Sequence, residues 1–199
     1  MNVCLVSREY PPFFGGGIGA YAVRWSRALA RCGHRVVVVT VSDDGRESRE
    51  REDGVEVVRL PFIKGSGHTG DWTSPHPKIS TPVTRAAFAT FSPVAVFAMQ
   101  IAEALQRLAE EVGIDVVEFP ETGGLGWFVL NARRNGALWS NGSGPAVVTV
   151  LHSPTQWIAE WSRAALQGRR DLELAWMERE CAEWADATVS PSHGLAAWA

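Results

Sequence analysis

Cysteine is scarce in this sequence. Cys4, Cys32 and Cys181 are odd in number, lie far apart and form no CxxC pair. Neither a disulfide framework nor a thiolate metal cluster is expected, and reduced thiols of a cytosolic protein are the plain reading. Basic excess is missing too. Lys and Arg number 19 against 22 Asp and Glu, for a net charge of -3. A nucleic-acid partner would need a basic face to neutralise phosphates, so none is expected. Met1 leads straight into an apolar strand with no basic region and leader-like core, so no secretion signal is expected. Residues Ala86 to Ala102 carry no formal charge, but they fall short of the ~20 residues a membrane span requires and contain Thr90, Ser92, Pro93 and Gln100. Two helices meeting at Ser92-Pro93 are expected there, with peripheral membrane contact left open. There is no internal repeat.

What is present suits one globular domain with a full core. The chain has 199 residues, 46% apolar and 21% charged. Val3 to Val6 reads as a buried strand. Ile18, Tyr21, Trp25, Leu29 and Cys32 follow at helical spacing, which predicts an inward helix face closed by Gly33. Val36 to Val39 is apolar at every residue, the mark of a parallel strand covered on both faces. Gly45 to Gly54 alternates charge sign without apolar residues and is expected to be a solvated connection.

Val55 to Leu60 is a third strand, and Lys64 to Pro82 a long polar loop. Ser92 and Pro93 read as N-cap and first helical residue of a helix whose stripe runs Val94, Phe97, Ile101, Leu105, Leu108, Val112 and ends at Gly113. Strands at Asp115 to Phe119, Ala146 to Leu151 and Ala187 to Ser190 alternate with helices near Gly123, Pro154 to Leu166, Arg170 to Trp184 and after Ser192. Six strands alternating with helices predict a single-domain α/β fold: a doubly wound parallel sheet, Rossmann-like, in the order 3-2-1-4-5-6. Ligand then binds where the order reverses, between the loops after strands one and four.

The first of those loops is SREYPPFFGGGIGAYA, and Gly15, Gly16, Gly17 and Gly19 stand where a helix begins. Unpaired N–H groups there attract anions, and glycine lets a phosphate come close to the backbone. A turn needing positive φ is the alternative. Gly15, Gly17 and Ala20 also satisfy GxGxxA, but Arg8 to Phe14 separate the strand from the first glycine, and Thr40, Val41 and Ser42 replace the acid expected at the end of strand two. A wider loop wrapping a ligand from one side fits better than a dinucleotide fingerprint. His152 follows a buried strand at the same sheet edge, where imidazole can donate to a sugar hydroxyl and respond to phosphate charge. Capping the next helix is its simpler role.

Three blocks in order, LVSREYPPFFGGGIGAYAVRWSRALARCGHRVVVVT, VVTVLHSP and ERECAEWADATVSPSHGLA, resemble the opening, middle and close of the amino-terminal domain of family-four glycosyltransferases. The third glycine, the tryptophan content and the lack of a second domain depart from the pattern. The resemblance implies the amino-terminal half of a two-domain GT-B enzyme that retains anomeric configuration. Residues 1–199 would then be the acceptor-side domain, and the carboxyl-terminal domain that holds most of a nucleotide-sugar donor is absent. It also implies that Gly16 and Gly17 face the donor diphosphate, that His152 lines the reacting centre, and that neither cofactor nor metal is needed.

Other candidates surround this edge. Arg8, Glu9 and Tyr10 border the glycine loop, and Glu9 and Tyr10, with Glu121 and Trp157, are expected to meet the acceptor. Glu118 with Glu121 forms a carboxylate pair at the end of strand four. Trp157 and Trp161, four apart, either stack on a sugar or form a core stripe. His68, Asp71 and His76 lie in the long loop without metal-ligand spacing and read as solvated. A stand-alone nucleotide-binding or regulatory module of the same fold is the alternative function.

Overall fold

Runs of valine build the centre of the molecule. In the computed structural model, which describes residues 1–12, 16–42, 45–61, 92–139, 142 and 144–199, β1 (Asn2–Val6) lies between β2 (Arg35–Ser42) and β5 (Val116–Pro120). β4 (Val55–Pro61) extends the sheet beyond β2, and β6 (Ala146–Val150) and β7 (Ala187–Val189) extend it beyond β5, all parallel. The register brings Leu5 level with Val38 on one side and Glu118 on the other. The parallel strands thus follow the order expected from the sequence, and the switch point falls between β1 and β5.

Residues 45–54 differ from expectation. Ser48–Glu52 forms β3, an antiparallel edge strand on β4 with every residue exposed. Glu52 pairs with Val55, and between them Asp53 and Gly54 both adopt positive φ, 50° and 82°. That is the two-residue hairpin turn that Asp-Gly favours. The alternating charges keep the edge solvated and unattractive to other strands without preventing pairing.

Helices cover both faces. α1 (Gly17–Arg31) packs on Val3, Leu5, Val36, Val38, Val55 and Val57. Its buried residues are Gly19, Ala22, Val23 and Ser26, not the expected Ile18, Tyr21, Trp25, Leu29, Cys32 stripe; Trp25 is 40% exposed. Small residues let the helix approach the sheet closely; of the expected stripe, Leu29 is partly buried against this cluster, while Tyr21 and Trp25 turn to Glu118. On the opposite face α2 (Pro93–Val112) buries Val94, Phe97, Ile101, Leu105 and Leu108 against Val37, Val39, Val117 and Phe119. Ser92 accepts from the Ala95 N–H as N-cap, and Gly113 closes the helix at φ 67°. α3 (Trp127–Arg134) joins this layer through Val129 and Leu130, and α5 (Gly168–Trp184) through Cys181. α4 (Thr155–Trp161) buries none of its residues, and α6 (His193–Trp198) is capped by Ser192. No helix among the described residues is long and apolar enough to cross a membrane.

Candidate active site

Three loops meet at the carboxyl edge of the sheet. The first leaves β1 at Ser7, whose N–H still donates to Val39 O. Arg8 follows. Burial pushes its pKa down to about 10, with Glu9 raising and Arg170 lowering it, so the guanidinium stays charged at neutral pH. Glu9 turns its carboxylate onto the amino end of α1, where Oε2 accepts from Gly19 N at 3.1 Å. This is the favourable place for negative charge on a helix. Tyr10, expected at the substrate, is instead 3% exposed in the core, and its hydroxyl is shared with Ser26 Oγ at 3.0 Å. The alternation of the chain after β1 turns that ring inward. Arg59, buried on β4, donates to the Pro11 carbonyl and to Glu50 of β3, which ties the loop to the sheet.

Gly16 is the N-cap of α1, with φ 178°. That is extended backbone, open to any residue. A side chain at Gly17 would meet nothing within 4 Å, and one at Gly16 only Glu9 Oε2 at 3.8 Å. Neither conformation nor packing among the described residues therefore demands glycine at these two positions. Gly15 lies outside the described residues.

The second loop follows β5. Glu121, expected to bind acceptor, is fully buried. Its Oε2 accepts from His152 N at 2.8 Å and its Oε1 from Ser153 N at 2.5 Å and Thr122 Oγ1 at 3.1 Å. The carboxylate thus holds the start of the third loop. Beside it, Glu178 of α5 accepts from Gly123 N at 2.8 Å and Thr155 N at 2.6 Å.

The third loop, after β6, carries His152. Burial pushes its imidazole pKa down, and Glu121 pulls it up. Its ring meets that of Tyr21 at 5.1 Å. Tyr21 lies one turn beyond Gly17 on α1, so the glycine step and His152 flank one crevice. Tyr21 OH donates to Glu118 Oε1 and Trp25 Nε1 to Glu118 Oε2, each at 2.9 Å. Burial pushes Glu118 up in pKa, and these two donors pull it back. Glu118 and Glu121 therefore do not act as a pair: Glu118 faces α1, and Glu121 faces the third loop.

Trp157, on α4, is half-buried with its ring 5.9 Å from that of Trp161, which is 74% exposed. A core stripe is ruled out, since α4 buries none of its residues. A separate cleft of about 710 Å³ opens between α4, α5 and α6, lined by Glu121, Pro154, Glu178, Ser190 and Trp198 among others. Neither Gly16, Gly17 nor His152 is among its described lining residues. Among the described residues no group of three His, Cys, Asp or Glu side chains could hold a metal ion. Lys64 to Pro82, with His68, Asp71 and His76, lies outside the described residues.

The sequence reading did not single out Glu178, and it placed Tyr21 in the wrong layer. Glu178's partners are backbone N–H groups 55 and 23 residues away, which leave no local pattern. The pair Gly123-Gly124 was the available signal of a backbone drawn close to a neighbour.

The glycosyl transferase 4-like domain family matches residues 16–199. Glycogen synthase of Mycobacterium tuberculosis is 39% identical over 64 residues, 29% of this chain and 16% of that protein. The structure of sucrose-phosphate synthase from Thermosynechococcus elongatus superposes with a TM-score of 0.60 at 18% identity, over 99% of this chain and 44% of that one. An α,α-trehalose 6-phosphate synthase from Burkholderia multivorans aligns at TM-score 0.49 and 17% identity, over 94% of this chain and 39% of its own. The chain thus spans less than half the length of each.

Proposed function

Because the chain belongs to the glycosyl transferase 4-like domain family, we propose that it is the amino-terminal, acceptor-side half of a retaining glycosyltransferase that uses a nucleotide-sugar donor. The carrying observation is the glycine step at the start of α1. Gly16 and Gly17 are required neither by backbone conformation nor by packing among the described residues, yet they stand at the positive end of a 15-residue helix. Missing side chains next to the N–H groups of a helix end suit a phosphate that must come close. The Glu9 carboxylate already rests there and stands in for such an anion.

Across the crevice His152 would hold the transferred sugar by hydrogen bonding and respond to the charge on the departing phosphate. Its depressed pKa keeps the imidazole neutral at pH 7, able both to donate and to accept. In this scheme the departing phosphate takes the acceptor proton, and His152 positions rather than acts as general base. Trp157 offers an aromatic face to the acceptor, and Glu9 borders it. The residues that clamp the diphosphate would belong to a second domain. This chain alone is then inactive, and no cofactor or metal is required.

The test compares purified residues 1–199 with a longer protein that adds a second Rossmann-like half, each offered radiolabelled UDP-, GDP- and ADP-sugars. Donor-specific transfer by the longer protein alone is the expected result. Transfer by residues 1–199 would sink the two-half reading. Nucleotide binding without transfer by either would favour a stand-alone binding or regulatory module.

A further inference from the structure

We propose that Glu178 is a positioning residue of the candidate active site: from α5 it stitches the loops after β5 and β6 together and so, with Glu121, sets where His152 stands. The significance of His152 rests on the function proposed above; the stitching itself does not.

The geometry is a cross-linked pair of loops. Glu178 is 3% exposed. Its Oε1 accepts from Gly123 N at 2.8 Å and Thr155 Oγ1 at 3.0 Å, and its Oε2 accepts from Thr155 N at 2.6 Å. Glu121 accepts from the N–H groups of His152 and Ser153. Two buried carboxylates therefore take up four backbone N–H groups at the ligand edge. A gap of one residue, Pro154, separates the stretches that each one holds.

The approach needs glycine. A Cβ at Gly124 would collide with the Met177 side chain and lie 3.2 Å from its backbone carbon, at φ 60°. The backbone comes this close to α5 only because residue 124 is glycine, and the neighbouring Gly123 N–H then reaches Glu178.

A stitch that served folding alone could be made more cheaply. Serine or asparagine would cap one or two N–H groups without burying charge. Here two acids are buried within reach of each other, and the charge of Glu121 opposes the ionisation of Glu178. Burial pushes Glu178 up to about 7, the hydrogen bonds from Gly123 and Thr155 pull it down, and Glu121 raises it further. Among the described residues, Glu121 after β5 is the charged group that acts on it; Glu160 of α4 and Arg179 and Glu183 of α5 line the same cleft, and Cys181 follows on its own helix. What the arrangement provides is rigidity in the loop that carries His152, since a residue acting on a ligand must be held by its supporting hydrogen bonds. Ionised Glu178 accepts from both loops at once. Protonation turns one oxygen into a donor and weakens the stitch.

The experiment has two arms. In ¹⁵N-labelled residues 1–199, the amide signals of Gly123 and Thr155 are followed by NMR from pH 4 to 9. They are expected to move through one shared transition that Glu178→Gln removes, while the His152 amide and ring signals shift in that variant. Separate behaviour of the two amides, or unmoved His152 signals in the variant, overturns the proposal whether or not the protein transfers sugar. The wild-type titration decides the matter alone if Glu178→Gln fails to fold. In the longer transferring protein, Glu178→Gln is expected to lower kcat about ten-fold with donor KM little changed. Cys4→Ala, a core change away from this edge, should keep kcat. An equal loss of kcat in both variants overturns the positioning role. If the NMR signature holds while His152→Ala keeps full activity, the functional reading of His152 fails and the stitch stands.

Discussion

The phenol ring of Tyr21 meets the imidazole of His152 edge-on, with centroids 5.1 Å apart and planes at 69°. This contact joins the first turns of α1, where the glycine step lies, to the loop after β6. The same phenol donates to Glu118 at 2.9 Å, so β5 fixes the ring that fixes His152. Tyr21→Phe should keep the ring contact and lose about 1 kcal/mol of stability with the hydrogen bond. Tyr21→Leu should lose both. The check is the His152 ring-proton shift by NMR. A ring-current displacement retained in Phe and abolished in Leu is expected; equal shifts in the two variants would show that Tyr21 does not hold the imidazole.

For a chain able to transfer, His152→Ala should lower kcat by roughly 10²-fold, the scale of one preorganised donor. Gly17→Val should weaken donor binding by putting a β-branched side chain into the space over the helix end. Among the described residues nothing lies within 4 Å of a Cβ at Gly17, so this loss should come without a large fall in stability. Steady-state kinetics with thermal melts separates the two effects, and wild-type kinetics in both variants would refute the site.

The parallel core was legible because its causes are local. Four consecutive valines in β2, Ser92-Pro93 at the start of α2 and Gly113 at its end each carry their own mechanism, and each stands where the sequence places it. β3 was hidden because its five charged or polar residues suppress the apolar alternation by which a strand is recognised. The Asp53-Gly54 turn was its only trace. α1 offers two overlapping stripes at helical spacing, and periodicity does not say which faces the sheet. Size decided it: Gly19, Ala22, Val23 and Ser26 let the helix come close, and this sends Tyr21 and Trp25 to Glu118.

The candidate site was legible by edge but not by direction. Gly16, Gly17, Glu9 and His152 border the switch point as expected. Tyr10 and Glu121 occupy the right loops and point inward, because a single residue of alternation reverses a side chain. The partners of Glu178 and of Tyr21 are 55 and 97 residues away in sequence, so only the folded chain displays them.

Arg59 and Glu50 should respond unequally to mutation. Arg59 has a 9% exposed side chain, whereas that of Glu50 is 50% exposed. Removing Glu50 leaves a buried cation with less compensation; replacing Arg59 by an apolar residue leaves a carboxylate that water can reach. Glu50→Ala is therefore expected to cost about 2 kcal/mol, and Arg59→Met less. Urea denaturation of the two variants measures this, and a larger loss in Arg59→Met would show that the Pro11 contact outweighs the ion pair.

Gly124→Ala should be among the most damaging single-methyl additions in the chain. It combines a left-handed backbone at φ 60° with a collision against Met177. Strain and overpacking together are expected to cost about 2–4 kcal/mol. Gly17→Ala, a helical position with open space, should change stability by less than about 0.5 kcal/mol. Similar melting temperatures for the two variants would contradict the close approach of the second loop to α5.

The pH dependence of stability provides the last test, and its sign follows from burial. Glu178 titrates near 7 in the folded protein against 4.5 for an ordinary glutamate. A carboxyl whose pKa is raised by folding stabilises the native state fully below its unfolded value and loses that contribution as pH rises through its folded value. Between pH 4.5 and about 7, the contribution of Glu178 should therefore fall, by an amount on the order of 3 kcal/mol. His152 acts in the opposite sense. Its pKa is lowered by burial, so its contribution is present above the ordinary imidazole value and declines as pH falls. The net stability of the wild type mixes the two slopes, but the difference between wild type and Glu178→Gln isolates the first, since glutamine does not titrate. Urea unfolding of both proteins at pH 4.5, 6 and 8 should show wild type losing ground to the variant at each step upward. A difference that is flat across this range, or that grows with pH, would mean that Glu178 is not held as a buried carboxylate between the two loops.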